Sequence, residues 1–289
     1  VIFILINLIP GDPAIHILGE GAKFSDLHRL RTTLELNESI FVRYIKFQKS
    51  LLFIDFGESI FNRKKVITNI LIYFPNTIYL SISSILVAIV LSFLLGIIAA
   101  FHQDSLWDTL ITLLSSFGLA IPNFFLGPLL IHILSIKLGW FPVSGSDGIK
   151  YLILPSLTLG LSMTAFLTRI IKIAIVTEIN KPYILLARSK GISKSRIFFI
   201  HILKNCLNPI ITTIGLQFGA LLTGTIITEV IFSWQGIGCL LINSINRRDF
   251  PMIQGLVIFI TIIYLLLNLI IDLIYFFLNP KLRYEIIHK

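Results

Sequence analysis

Residues 178–209 read EINKPYILLARSKGISKSRIFFIHILKNCLNP, and this polar stretch separates two long apolar segments. Its charge is of one sign, because no acidic residue follows Glu178 within it. The basic residues are Lys181, Arg188, Lys190, Lys194, Arg196 and Lys204. A soluble surface normally mixes both signs. A basic stretch between apolar runs is instead typical of a loop on the cytoplasmic side of a membrane.

Two short helices are predicted within this stretch. Asn180 and Pro182 suit the cap and first turn of a helix that covers 183–189. Gly191 ends that helix at a tight bend that a side chain would obstruct, and Ser193 suits the cap of a second helix. Such a hairpin between membrane spans is suited to binding a partner protein. The other interpretation is an ordinary basic loop attracted to anionic lipid headgroups.

The composition places most of the chain in a membrane. Hydrophobic residues form 55% of the sequence and charged residues only 13%, whereas a soluble domain carries about a quarter charged residues. Mean hydropathy is +0.90, so lipid is the predicted solvent for most of the chain. The formal net charge of +9 is explained by basic loops facing anionic lipid, and it requires no nucleic acid.

Apolar runs divide the chain into spans, since one crossing needs about 20 apolar residues. The complete runs are roughly 73–101, 109–136, 152–176, 210–232 and 252–278. Pro122 and Pro128 interrupt the second run, so a kinked helix is expected there. Residues 1–9 are too short to span and are interpreted as the end of a truncated first helix. The predicted fold class is therefore all-α, a polytopic membrane protein with six transmembrane helices.

Charge sets the expected orientation of these spans. The loop 177–209 and the basic tail 279–289 are separated by two spans, so they lie on the same side, which the positive-inside rule makes cytoplasmic. Counting back places the N-terminus in the cytoplasm as well. Segment 10–72, which mixes acids and bases, is then an external segment with short amphipathic helices.

Several motifs resemble one family of transporters. In chain order they are INLIPGDPA, PYILLARSKGIS, IFFIHILKNCLNPIIT, GLQFGALLTGTIITEVIFSWQGIG, RDFPMIQGLV and NPKLRY. The chain is similar to the permeases of binding-protein-dependent ABC importers, and more narrowly to the dipeptide/oligopeptide/nickel permease family. The resemblance extends over essentially the whole chain.

This resemblance implies a transmembrane permease subunit that forms half of a translocation pathway in the bacterial inner membrane. The implied partners are a second related permease, two cytoplasmic ATPase subunits and an external solute-binding protein. ATP hydrolysis would belong to those ATPases, and the chain has no GxxxxGK[ST], GxSxG or HExxH motif. No catalytic residue, cofactor or metal site is expected in this chain. The cargo, a di- or oligopeptide or nickel, stays open.

The resemblance also implies a role for the hairpin. In the family, the short loop helix docks in a groove on the ATPase and transmits its closure. The residues that match it are Tyr183, Ala187, Arg188, Lys190 and Gly191. The general loop signature begins Glu-Ala-Ala, where this chain has Leu185, Leu186 and Ala187. A glutamate ion pair with the ATPase is therefore not expected.

A stripe of small residues marks the fifth span. Gly215, Gly219 and Thr223 fall four apart, which allows close approach of another helix. One interpretation is packing within this subunit, and the other is contact with a second permease along the pathway. The pattern favours packing.

Ionisable residues within the spans are candidates for function. Asp272 shares a helix face with Asn268 and lies close enough to the tail to reach the membrane interface. Glu229 either faces a substrate entrance or caps the outer end of its span. Arg169 and Lys172 are expected to extend towards the cytoplasm.

A self-sufficient secondary transporter is the alternative function. Secondary carriers usually contain internal repeats, with acidic residues or broken helices near the middle of the membrane. The sequence shows no repeat, and its acid in the last span, Asp272, lies near an end. The importer permease is therefore favoured.

Overall fold

The computed structural model describes Phe3, Gly21 and the ranges 23–33, 38–53 and 55–278. Regular structure in this part of the chain is helical, apart from an isolated antiparallel bridge between Glu58 and Lys65. The predicted all-α class is confirmed. The tail 279–289 and, apart from Phe3, the predicted truncated helix lie outside the described residues.

The helices of the described residues are numbered in chain order. They are α1 (Phe24–Thr33), α2 (Ile40–Leu52), α3 (Val66–Phe101), α4 (Leu106–Ala120), α5 (Asn123–Leu130), α6 (Ile149–Ile179), α7 (Pro182–Ser189), α8 (Lys194–Arg196), α9 (Leu203–Ile231), α10 (Ile237–Asn246) and α11 (Phe250–Leu278). A π-helical stretch, Ile131–Lys137, extends α5, and another, Ile197–Ile202, joins α8 to α9.

Membrane-crossing helices overlap the five predicted complete runs, although the one that overlaps the run 210–232 begins at Lys194. By length and composition, the segments that qualify singly are Val66–Phe101, Ile149–Ile179, Lys194–Leu221 and Phe250–Ile274. A further span qualifies as a bent pair, Leu106–Ala120 with Asn123–Lys137, at an angle of 105°. Pro122 lies at this break and lacks an N–H, and Ile121 before it adopts an extended ψ of 116°. The predicted kink is therefore a sharp corner.

Two other segments differ from the sequence prediction. Helix α3 begins at Val66 rather than Tyr73, because the residues between them are mostly apolar and Val66 and Ile70 are fully buried. Helix α10 forms between the predicted runs 210–232 and 252–278, where the sequence analysis assigns no helix. Its buried residues Ile237, Leu241 and Ser244 follow helical spacing, so tertiary packing again stabilises the element.

The chain divides into two compact units, Val1–Pro75 with Gly236–Ile262, and Asn76–Gln235 with Ile263–Lys289. In the first unit, the buried Asp249 accepts hydrogen bonds from the Ser59 hydroxyl and, at 3.2 Å, from the Ile60 amide. The guanidinium of Arg247 lies 4.2 Å from the ring centroid of Phe61. These contacts attach the segment that precedes α3 to the junction between α10 and α11.

In the second unit, α6 packs closely against α3. A Cβ on Gly160 would lie 2.9 Å from the carbonyl oxygen of Ser84, and a Cβ on Gly96 would lie 2.8 Å from Ile171 Cγ2. Both glycines therefore allow the two backbones to approach. Ser83 of α3 and Ser156 of α6 are joined by a hydrogen bond of 2.6 Å. This contact fixes α6, the helix that leads directly into the hairpin.

Candidate coupling hairpin

The hairpin is two helical parts joined at Gly191. Helix α7 starts with Pro182 in its first turn, and Lys181 rather than Asn180 is its N-cap residue. Gly191 follows α7 with a φ of +76°, which is the left-handed region. Ser193 is the N-cap residue of α8, as predicted, although its side chain makes no capping hydrogen bond. From there the helix continues without a break through the π-helical stretch into α9.

The inner face of α7 is part of the hydrophobic core. Ile184 is fully buried and Ala187 is 8% exposed. Both belong to one cluster with buried residues of the neighbouring helices, among them Ile171, Ile175, Ile197, Ile202 and Ile210. Because this cluster connects α6, α7 and α9, a displacement of α7 must move the two spans that flank it.

Glu178 organises the base of the hairpin. Its buried carboxylate, at the end of α6, accepts hydrogen bonds from the Tyr183 hydroxyl and, at 3.0 Å, from Asn205 Nδ2. Asn205 Nδ2 also donates to the Tyr183 oxygen at 2.8 Å. The Lys181 ammonium completes the group at 2.5 Å from Glu178 Oε2. The carboxylate thus connects α6, α7 and α9 through polar contacts beside the apolar cluster.

Electrostatics keep the two titratable donors of this group protonated. Burial, and the hydrogen bond to the Glu178 carboxylate, raise the pKa of the Tyr183 hydroxyl. The hydrogen bond to the same carboxylate raises the pKa of the Lys181 ammonium. A raised folded-state pKa gives stability that is complete below the unfolded value and is lost only as the pH rises through the folded value. Both values lie far above neutral pH, so these donors remain protonated under physiological conditions.

The outer face of α7 combines apolar and basic side chains. Leu185 is 60% exposed and Leu186 is 57% exposed. Arg188 and Lys190 are exposed as well. A contiguous exposed apolar patch with a polar rim is typical of a surface that binds a protein or a membrane. The face therefore has the composition of a protein-binding surface, with an apolar centre and a charged margin.

The predicted hairpin residues thus have three different roles. Tyr183 and Ala187 hold α7 in place, since one joins the Glu178 group and the other lies in the core. Arg188 and Lys190 are available to a partner. Gly191 provides the turn. A Cβ on Gly191 would meet nothing within 4 Å, so its backbone conformation, and not crowding, accounts for the glycine.

Gly191→Ala is expected to destabilise the hairpin by about 1–2 kcal/mol, the cost of a left-handed backbone for a residue with a Cβ. The apparent melting temperature of the purified protein measures this loss. Gly191→Asn is the matched control, because asparagine tolerates the left-handed region, and it should retain most of the stability. Equal losses for the two variants would contradict the assignment to backbone strain.

The small-residue stripe of α9 contacts α11. A Cβ on Gly215 would lie 2.9 Å from Ile271 Cγ2, and a Cβ on Gly219 would lie 3.3 Å from Asn268 Oδ1. The side chain of Thr223 lies outside the described residues. At these two glycines, α9 therefore packs against α11 of the same chain. Whether the stripe also faces a second permease stays a prediction.

Two acidic residues in the spans have different surroundings. Glu229 is fully buried and accepts a hydrogen bond of 2.7 Å from the Thr77 hydroxyl of α3. Close by, the Trp234 indole donates to the Asn76 carbonyl oxygen at 2.9 Å. Asp272 is exposed on α11. Glu229 therefore joins two helices of the second unit, which neither sequence interpretation anticipated.

No cluster of three or more His, Cys, Asp or Glu residues that could hold a metal ion occurs in the described part of the chain.

Sequence reasoning missed Leu185, Leu186, Glu178 and Asn205. The two leucines carried a usable signal, because the spacing of Ile184 and Ala187 predicts a buried face and leaves the leucines on the other one. Glu178 and Asn205 gave no signal in the sequence, because only the folded chain brings their side chains within hydrogen-bonding distance.

Comparison with known proteins decides the family. Residues 92–284 match the family described as the binding-protein-dependent transport system inner membrane component. The chain belongs to this family. As a binding-protein-dependent permease it is a transport subunit integral to the inner membrane, which confirms the resemblance. Membership implies ATPase and binding-protein partners.

Curated relatives of this permease match nearly its whole length. The glutathione transport system permease protein GsiC of Escherichia coli (strain K12) is 35% identical over 284 residues, which cover 98% of this chain and 93% of the relative. GsiC of Salmonella typhimurium (strain LT2) is 36% identical, with the same coverage. These relatives are permeases of the dipeptide/oligopeptide/nickel type, in agreement with the narrower resemblance.

Solved structures of ABC transporters have the same fold as this permease. A crystal structure of an amino acid ABC transporter with histidines aligns with a TM-score of 0.59 at 15% identity, over 72% of this chain and 93% of that chain. An inward-facing conformation of the MetNI methionine ABC transporter aligns with a TM-score of 0.62 at 14% identity, over 73% of this chain and 96% of that chain. The permease therefore has the membrane-subunit fold of ABC transporters.

Proposed function

We propose that this permease imports peptides or related small solutes and is driven by cytoplasmic ATPases that bind the hairpin 178–209. The observation that carries the proposal is the exposed pair Leu185 and Leu186 on a helix whose other face is locked into the core. A partner that covers the leucines gains apolar burial. It also binds α7, which cannot move independently of α6 and α9.

The mechanism follows from this stiff connection. Closure of the bound ATPases displaces α7, and the shared core cluster transmits the displacement to α6 and α9. These helices then tilt and open the pathway to the opposite side of the membrane, which is alternating access. ATP binding and hydrolysis take place on the ATPases, and this chain contributes the force-transmitting contact and half of the pathway.

The assembly we infer has a second related permease, two ATPase subunits and an external solute-binding protein. The N-terminus, the loop 177–209 and the tail 279–289 face the cytoplasm, and segment 10–72 faces the outside. Residues 73–278 form the transmembrane permease domain. The basic charge of the loop and tail supports this orientation.

The names of the GsiC relatives support a peptide-like cargo, since glutathione is a tripeptide. Nickel is the other cargo class of the family.

Copurification tests the proposal. The double variant Leu185→Ala/Leu186→Ala should lose most of the ATPase that copurifies with the tagged wild-type protein in mild detergent. Two truncated leucines at the centre of an interface remove about 2–4 kcal/mol, enough for a loss of roughly thirtyfold or more in affinity.

The matched control is Leu110→Ala/Leu114→Ala, which truncates two leucines of similar exposure on α4, far along the chain from the hairpin. It should retain the ATPase. Retention of the ATPase by the hairpin variant would contradict the docking role. Uptake by the wild-type chain alone, without an ATPase, would favour the secondary transporter instead.

A further inference from the structure

Arg169 is a charged residue deep within a span. It lies on α6, about 15 Å from the helix end at Ile179 at a rise of 1.5 Å per residue. Its side chain is exposed, and its guanidinium donates a hydrogen bond of 2.9 Å to the Ser116 hydroxyl of α4. No acidic residue pairs with Arg169 in the part of the chain that the structure describes.

The neighbouring cation is arranged differently. Lys172, one turn nearer the hairpin, lies 2.5 Å from Asp108 Oδ1, and this carboxylate is largely buried. Lys172 is therefore neutralised within the subunit. Arg169 carries the net positive charge of this part of the contact between α4 and α6.

The hydrogen-bond partner of Arg169 lies within a neighbouring helix and not at the cytoplasmic end of the span. Helical side chains tilt towards the N-terminus of their helix, which on α6 is the end remote from the hairpin. Ser116, the observed partner, lies about 15 Å into α4 from its start at Leu106. The guanidinium therefore bonds to a residue within α4, whereas the sequence predicts that it extends to the cytoplasmic end of the span.

The exposed surface of α4 has two unlike stripes. Thr109, Thr112 and Ser116 are exposed at spacings of three and four, so they form one polar stripe on the side that Arg169 approaches. The apolar stripe of Leu110, Leu114 and Phe117 is exposed on the other side. Lipid chains suit the apolar stripe. Hydroxyl groups beside an unpaired guanidinium suit water, because a charge exposed to acyl chains is strongly disfavoured.

We propose that the polar stripe of α4 lines the translocation pathway and that Arg169 binds a carboxylate group of the transported solute there. A guanidinium donates two parallel hydrogen bonds to a carboxylate, and its bond to Ser116 holds it in place. Peptides carry such a group at their C-terminus, whereas Arg169 would repel a bare Ni²⁺ ion. This inference rests on the proposed importer function and selects the peptide class of cargo.

Thiol labelling tests the location in the assembled complex. In a chain with Cys206→Ala and Cys239→Ala, we expect Ser116→Cys to react with water-soluble methanethiosulfonates, and to prefer the anionic sulfonatoethyl reagent over the cationic trimethylammonium one. Adding Arg169→Gln should lower this preference roughly tenfold, since one nearby positive charge is removed. Leu114→Cys on the apolar stripe is the control and should react with neither reagent. A Ser116→Cys that is as unreactive as Leu114→Cys would overturn the proposal, because position 116 would then face lipid or a partner subunit.

Uptake into proteoliposomes that contain the complete complex, its binding protein and ATP tests the ligand. The probes are a labelled dipeptide, labelled glutathione and radioactive Ni²⁺. Arg169→Gln is expected to reduce peptide uptake roughly tenfold, as the loss of a hydrogen bond to a charged group predicts, and Arg169→Lys should restore much of it. The ATPase should still copurify with both variants, because Arg169 lies outside the hairpin.

The outcomes separate this inference from the function on which it rests. Peptide uptake that is as fast in Arg169→Gln as in the wild type would overturn the carboxylate site and leave the importer function intact. ATP-driven uptake of Ni²⁺ without peptide would overturn the assigned cargo class. Absence of ATP-driven uptake of every probe would contradict the importer function itself, and the inference with it.

Discussion

Asp108→Asn is expected to lower the apparent melting temperature of the purified permease markedly, by the equivalent of about 3 kcal/mol. The substitution keeps the shape of the side chain and an oxygen that accepts the Asp104 amide bond. It removes the carboxylate that lies 2.5 Å from the Lys172 ammonium. Lys172 is only one quarter exposed, so its charge is left without compensation between α4 and α6.

The double variant Asp108→Asn/Lys172→Met provides the control. It removes both charges and should regain most of the stability, because the penalty comes from one uncompensated charge and not from the absence of the pair. A double variant that melts below both single variants would show that the ion pair itself, with its hydrogen bonds, supplies the stability.

Glu178→Ala is expected to uncouple ATP hydrolysis from transport. The substitution leaves the Tyr183 hydroxyl and the Asn205 amide without their shared acceptor at the junction of α6, α7 and α9. Hydrogen bonds to a charged acceptor are worth about 1.5–3 kcal/mol each, and their loss removes the polar connection between the three helices. We expect ATPase activity in the reconstituted complex to continue, with uptake per ATP hydrolysed reduced about tenfold.

Two further variants separate the contributions at this junction. Glu178→Gln keeps a side-chain oxygen for Tyr183 and Asn205 and should retain an intermediate coupling ratio. Lys181→Met removes only a half-exposed ion pair, which is worth less than about 1 kcal/mol, and should behave nearly as the wild type. If Lys181→Met were as damaging as Glu178→Ala, charge rather than the hydrogen-bonded junction would determine the coupling.

The spans could be predicted because they depend on local composition. A run such as 252–278 is apolar at nearly every position, so its transfer into lipid determines a helix whatever its neighbours are. The corner at Pro122 follows from the same kind of local information, since proline lacks an N–H and restricts the residue before it. Helix α10 was missed because its stability comes from the burial of Ile237 and Leu241, which a linear sequence does not show.

Part of the hairpin was predicted, because its turn and helix ends also depend on local preferences. Pro182, Gly191 and Ser193 have strong local preferences, so the two helical parts and the turn between them follow from the sequence. The roles of the side chains do not. Tyr183 matched the family loop as a coupling residue, and the structure turns it towards Glu178 at the hairpin base.

By itself, the sequence of this permease determined its helical class, the positions of its spans and the family to which it belongs, because composition, proline and glycine act locally and the motifs are contiguous. The tertiary structure alone decided which charges are neutralised. Asp108 pairs with Lys172, which is distant in the sequence, whereas within the described residues Arg169 bonds to the Ser116 hydroxyl and has no acidic partner. The physical reason is that burial and pairing depend on which helices pack together, and no residue carries that information on its own.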